Sequence, residues 1–119
     1  MATYDMITIG DYLSVVVKGS LNVPVFRSLT DEMLDACQAQ GIRKVLVDVS
    51  ACVGTFTDAD KIEFAKYASD KLVGIVDRYA YVYPHEHLNY SSAHVAQGRG
   101  LNVRAYYNIE NAIEWMEKK

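Results

Sequence analysis

The chain has no excess of basic charge: twelve lysines and arginines stand against fifteen aspartates and glutamates, a formal net charge of −3. Phosphate backbones are bound through clustered cations, so this balance argues against nucleic acid as a partner. Long apolar runs are also missing. A membrane-spanning helix needs about 18 or more such residues, whereas the longest stretches here, such as Leu13 to Val17 and Val45 to Val49, are strand-sized. Membrane insertion is therefore not expected. The opening Met1-Ala2-Thr3-Tyr4-Asp5 has neither the basic nor the apolar block of a signal peptide. Cysteine is scarce, and Cys37 and Cys52 are too few for a disulfide framework. With no CxxC spacing and no cation beside Cys52, both read as reduced, buried thiols, as expected of a cytoplasmic protein. No linker, repeat or low-complexity stretch divides the sequence. Its 119 residues suffice for a single domain, 1–119, with one core.

What is present is β-rich at first and alternating α/β thereafter. Met6 to Ile9 and Tyr12 to Lys18 flank Gly10-Asp11, the pattern of a hairpin closed by a type II′ turn. Asn22 can cap a helix entered through Val23-Pro24, and Phe26, Leu29, Met33, Leu34 and Cys37 recur at helical spacing up to Gly41. Lys44 to Val49 reads as a strand, followed by a loop from Ser50 to Phe56. Thr57, with Asp60 three residues on, resembles a capping box opening a helix that carries Ile62, Ala65, Ala68 and Leu72 on one face. Tyr79 to Tyr83 is the next strand, stopped by Pro84; a polar helix spans Leu88 to Gln97, and a last strand covers Asn102 to Tyr107. Asn108 caps the final helix, with Ile109, Ala112, Ile113 and Met116 as its stripe and Lys118 and Lys119 at its negative end.

The order β-β-α-β-α-β-α-β-α predicts an α/β fold, a mainly parallel sheet of about five strands with an N-terminal hairpin. If the strands lie in sequence order, right-handed crossovers place the helices mostly on one face. Alternation then divides each strand in two. Leu13, Val15, Val17, Val45, Val47, Val49, Ala80, Val82, Val103 and Ala105 form a compact apolar set suited to packing under helices. The complementary set includes Lys18, Lys44, Asp48, Tyr79, Tyr81, Tyr83, Arg104 and Tyr106. Tyrosine and arginine are enriched at interface centres. This second face is therefore expected to meet a protein partner or a second copy in a homodimer.

Catalytic signals are weak. His85, His87 and His94 crowd together with Glu86, but histidines two apart do not share a helix face, and the group reads as surface residues around a turn rather than a metal site. Ser91-Ser92 lacks a nucleophile-elbow setting. Gly98-Arg99-Gly100 lies between helix and strand, the reverse of a dinucleotide fingerprint, and reads as a turn. No catalytic, metal or cofactor residues are assigned.

The closing stretch Gly100-Leu-Asn-Val-Arg-Ala-Tyr-Tyr-Asn-Ile-Glu-Asn-Ala-Ile-Glu-Trp-Met116, with the element order, resembles the STAS-like proteins. More narrowly it resembles the bacterial subgroup related to sporulation anti-anti-sigma factors, often labelled STAS/CRAL-TRIO-like. The tail of that subgroup runs through Glu-x-Ala-x-x-Trp and a large apolar residue; Ala112, Trp115 and Met116 fit, and Glu110 or Asn111 fills the acidic slot loosely. Anti-anti-sigma proteins carry a phosphorylatable serine, within Asp-Ser-Ser-Gly, at the start of the helix after the Val45 to Val49 strand. The corresponding Thr55-Phe56-Thr57-Asp58-Ala59-Asp60 has neither serine nor glycine. Thr57 reads first as a helix cap, and with Asp58 as the candidate regulatory site. The resemblance implies a non-enzymatic interaction or regulatory module of the bacterial cytoplasm acting through a protein partner. The alternative is a domain that binds or carries an apolar small molecule or lipid.

Overall fold

Residues 2–52, 57–83 and 96–118 are described in a computed structural model of the chain. Strand β1 (Thr3–Ile9) pairs antiparallel with β2 (Tyr12–Gly19), from Thr3↔Lys18 to Ile9↔Tyr12. Gly10, the first turn residue, has φ +58, and Asp11 does not share that left-handed backbone. This is the demand a two-residue II′ turn makes, met by glycine without strain. Helix α1 (Val23–Gln40) starts where the Asn22 side chain accepts from the Val25 N–H at 2.9 Å. It ends at Gly41 in the left-handed conformation, φ 67. Strand β3 (Lys44–Cys52) runs three residues past Val49, its pairing with β2 shifting register between Val16 and Lys18. Helix α2 (Asp58–Leu72) leads into β4 (Arg78–Val82), and β5 (Val103–Tyr106) leads into α3 (Ile109–Glu117). The helix expected over Leu88 to Gln97 lies mostly outside the described residues; residues 96–98 are helical.

The sheet order is β1-β2-β3-β4-β5, parallel throughout except for the hairpin. Helices α1 and α2 cover one face. There Phe26, Leu29 and Met33 of α1 and Phe64, Ala65, Ala68 and Leu72 of α2 share a core with the valines of β2 and β3. The α2 stripe is rotated from the expected one: Ile62 is 37% exposed and Phe64 is buried. The second face carries a smaller core in which Leu46, Ala80 and Val82 meet Ala112, Trp115 and Met116 of α3.

One assignment from the alternation is corrected. Tyr79, Tyr81 and Tyr83 do not project from the second face; they belong to the valine core under α1 and α2. Parallel partners share a face, and the register is Val45↔Tyr79 and Val47↔Tyr81. Ala80 and Val82 therefore face α3, where their small size leaves room for Trp115 and Met116. Strand β5 keeps its expected phase, with Arg104 opposite Ala80 and Tyr106 opposite Val82.

Helix α3 is fastened by cations from the strands. Lys44 Nζ donates to the Met116 carbonyl at 2.9 Å, and Arg78 donates to the carbonyls of Trp115 and Lys118. Exposed carbonyls make a helix C-terminus negative, so these contacts offset charge and satisfy acceptors together. From sequence alone this role falls to Lys118 and Lys119. Lys44 and Arg78 perform it because strand starts and helix end meet at one edge of the sheet. The Arg104 guanidinium also lies over the Trp115 ring, 4.7 Å from its centroid.

Candidate functional site

Strands β2 to β5 run parallel, so their C-terminal ends gather at one edge, the usual place for recognition in open α/β sheets. Helix α2 begins there. Thr57 Oγ1 accepts from the Asp60 N–H at 3.0 Å, and Asp60 Oδ2 accepts from the Thr57 N–H at 3.3 Å. This reciprocal pair is the capping box expected from the spacing. Thr57 is exposed, and Asp58 is the first residue of the helix. In the middle of β3, Asp48 accepts from the Ser50 N–H at 2.9 Å and from the Ser50 hydroxyl. Cys52 donates its thiol proton to the Val17 carbonyl across 3.6 Å. Burial, followed by the negative charge of Asp48, pushes that thiol up to about 11. It is therefore protonated at neutral pH and a poor nucleophile.

Behind this edge, between α2 and the sheet, lies an apolar cavity of about 20 Å³ lined by Leu21, Val49, Phe64, Tyr81, Tyr83 and their neighbours. Its wall is part of an aromatic stack. Phe64 stacks on Phe26 at 4.5 Å between centroids, Phe26 on Tyr81 at 6.4 Å, and Tyr81 on Tyr83 at 5.5 Å. The Tyr79 hydroxyl donates to the Tyr81 hydroxyl at 2.9 Å. Burial raises the pKa of both phenols, so they stay neutral and serve as packing and hydrogen-bonding groups.

The seven residues singled out from sequence thus fall in three places. Thr57 and Asp58 stand at the strand edge. Tyr79, Tyr81 and Tyr83 are buried together in the core. Arg104 and Tyr106 lie on the α3 face against Trp115, with Tyr106 at 6.3 Å between ring centroids. Phe64 is the member of the stack that the sequence pattern misses, because a stripe phased on Ile62 leaves it out. His85, Glu86, His87, Ser91, Ser92 and His94 lie outside the described residues. Arg99 donates to Ser69 Oγ at 2.7 Å and pairs with Asp70, while Gly100 has φ +98; Gly98 ends the short helix and Arg99-Gly100 form the turn after it. Among the described residues, no group of three or more His, Cys, Asp or Glu side chains could hold a metal ion. No helix of the described residues is long and apolar enough to cross a membrane.

No family model and no curated protein matches the sequence. Solved structures do match in shape. The anti-sigma factor antagonist SpoIIAA in its unphosphorylated form aligns with a TM-score of 0.64 at 12% identity, covering 98% of this chain and 100% of that one. An anti-sigma factor antagonist from Mycobacterium paratuberculosis gives 0.69 at 13% identity over 99% and 96% of the two chains. An uncharacterised protein from Shewanella loihica with a SpoIIAA-like fold gives 0.61 at 16% identity over 96% and 92%. Five strands in sequence order, an antiparallel hairpin at one end and α1 and α2 packed on one face are accordingly the SpoIIAA-like, STAS-like fold.

Proposed function

We propose that this chain is a non-enzymatic regulatory module that works by binding a protein partner at the edge where α2 begins. The observation that carries the reading is the exposed, fully capped start of α2 at the C-terminal ends of the parallel strands. It is supported by the fold neighbours, two of which are anti-sigma factor antagonists, proteins named for their action on another protein. One of them is described in its unphosphorylated form. Here Thr57 and Asp58 stand at the helix start, and a phosphate on Thr57 would meet the positive end of α2 but also neighbouring carboxylate charge.

The test is partner capture with Ala59→Arg, which adds bulk and charge to an exposed position in the first turn without touching the cap. The variant should melt with the wild type and lose the captured protein. Thr57→Asp keeps a capping side chain while adding charge, so changed capture at unchanged stability would make Thr57 a switch. Capture that survives Ala59→Arg would sink the proposed contact.

The apolar lining of the cavity beside Tyr81 and Tyr83 favours a second reading, carriage of a small apolar molecule. Its volume of about 20 Å³ is room for a water, not for a ligand of the drug-like class that fills about 300 Å³ or more. A wider, open pocket of about 420 Å³ lies between the end of α1 and Gly74-Ile75, but the protein-partner reading, supported by the fold neighbours, is the conclusion. Lipid found bound to the purified protein by native mass spectrometry would reverse that ranking.

A further inference from the structure

The two edges of the sheet are unlike. Strand β5 is an edge of only four residues, with Arg104 in its middle. Short length and a charge are the usual protections of an edge. Strand β1 is seven residues long, pairs with β2 in unbroken register, and contains no proline, lysine or arginine. On its α3-side face Ile7 is 61% and Ile9 is 45% exposed. Long, regular and carrying two exposed isoleucines, such an edge is a template for another strand.

We infer that β1 pairs antiparallel with β1 of a second copy of this chain, joining two five-stranded sheets about a two-fold axis at Met6. The surface is independent of the α2 site. The hairpin fixes which backbone groups are available. In a two-residue hairpin the residues flanking the turn form a hydrogen-bonded pair, and pairs alternate from there. Ile9, Ile7, Asp5 and Thr3 therefore spend their backbone groups on β2, while those of Thr8, Met6 and Tyr4 point out of the sheet. That outward set is symmetric about Met6. Full overlap of two β1 strands puts Met6 opposite Met6 of the second copy and Tyr4 opposite Thr8, so every outward donor meets an outward acceptor.

Charge agrees with this pairing. Asp5 is the one charged residue of β1; it falls directly opposite Ile7 of the second copy, and the two Asp5 carboxylates meet only on the diagonal, about 7–8 Å between backbones. On the helix side, Tyr4 lies beside Glu32, whose carboxylate helps raise the phenol's pKa after burial, and the Thr8 hydroxyl donates to Gln40 Oε1 at 2.6 Å. Since Tyr4 of one copy faces Thr8 of the other, Glu32 lies toward Gln40 and not toward a second carboxylate. On the opposite face the two Ile7 side chains become diagonal neighbours, about 7–8 Å between backbones and within reach of each other. An extended peptide of another protein could occupy the same edge, but the self-symmetry of the outward groups and of the charges favours a second copy.

Sedimentation velocity from micromolar to near-millimolar concentration tests the assembly, with amide exchange in parallel. The wild type should shift from monomer to dimer and go no further. The Tyr4, Met6 and Thr8 amides should gain protection with concentration, while those of Asp5 and Ile7 should not. Ile7→Asp sets the introduced carboxylate of each copy against Asp5 of the other. These two like-charge oppositions should abolish the dimer at an unchanged melting temperature, the side chain being exposed. Ile7→Lys faces Asp5 and should retain it. Asp5→Lys combined with Ile7→Asp restores opposite charges and should rescue association. A wild type that stays monomeric throughout, or a dimer indifferent to Ile7→Asp, would overturn the inference. So would a complex formed only with an added strand peptide, or open-ended growth beyond the dimer.

Discussion

Replacing Tyr81 with alanine should bring the domain close to unfolding. Tyr81 is only 8% exposed, stacked between Phe26 and Tyr83 and tilted 4.8 Å from Tyr79. Truncating a buried aromatic to alanine costs about 3–5 kcal/mol. The loss also strands the Tyr79 hydroxyl, which donates to Tyr81 at 2.9 Å in a fully buried setting. An orphaned buried donor adds about 1–3 kcal/mol. The sum, about 4–8 kcal/mol, matches or exceeds the whole stability of a domain near the lower end of the roughly 5–15 kcal/mol that ordinary domains possess. Urea denaturation followed by tryptophan fluorescence and circular dichroism measures it. Tyr81→Phe keeps the ring and loses the acceptor, so it should cost about 1–2 kcal/mol; adding Tyr79→Phe should recover part of that, because both partners are then apolar. The same pair sets an alkaline limit. Unfolded tyrosine titrates near about pH 10, and burial raises both phenols above their usual value in the folded chain. Above that pH the folded chain holds protons the unfolded chain has released. Stability should therefore be full below about pH 10 and fall as pH rises beyond it, with a shallower fall in the double phenylalanine variant. A Tyr81→Ala protein with the wild-type urea midpoint would refute the packing argument outright.

Val47→Asp would bury an unpaired carboxylate at a fully buried position of β3, and loss of folded, soluble protein is expected on size exclusion. Thr57→Ala should lower stability by about 1 kcal/mol in a urea titration, while Thr57→Ser and Thr57→Asp should be nearly silent because both still cap α2. Cys52, protonated and buried, should react with a thiol reagent only in denaturant; rapid labelling of the native protein would contradict the structure.

Much of the fold is legible in short-range chemistry. Gly10-Asp11, Asn22, Gly41, Thr57 and Asn108 each mark a boundary that the structure realises through backbone conformation or a capping hydrogen bond. The phase of β4 is not legible. Both of its faces are buried, so Arg78-Tyr-Ala-Tyr-Val82 offers no polar row to mark the outside, and tyrosine's hydroxyl is a misleading sign of exposure. Phase is set by register against β3, a long-range fact that depends on the length of the α2 connection. The candidate site is half visible for the same reason. Thr57 follows from a local capping signal, whereas the stack of Phe64, Phe26 and Tyr81 joins three separate elements. The fastening of α3 by Lys44 and Arg78 is likewise invisible to any window shorter than the distance from residue 44 to residue 116.

That fastening gives the sheet two faces of different permanence. Helices α1 and α2 are crossovers, so neither leaves its face without separating the strands it connects. Helix α3 joins no later described strand, so an opening at Asn108 would leave all five described strands paired. Such an opening breaks the Lys44 and Arg78 contacts to the helix end, uncovers Tyr12, Leu46, Ala80 and Val82, and leaves the larger core intact. In native-state hydrogen exchange the amides of Ala112 to Met116 should consequently open at lower free energy than those of β3, as a unit of their own. Beneath α3 the chain thus holds an apolar strip that its folded form keeps covered.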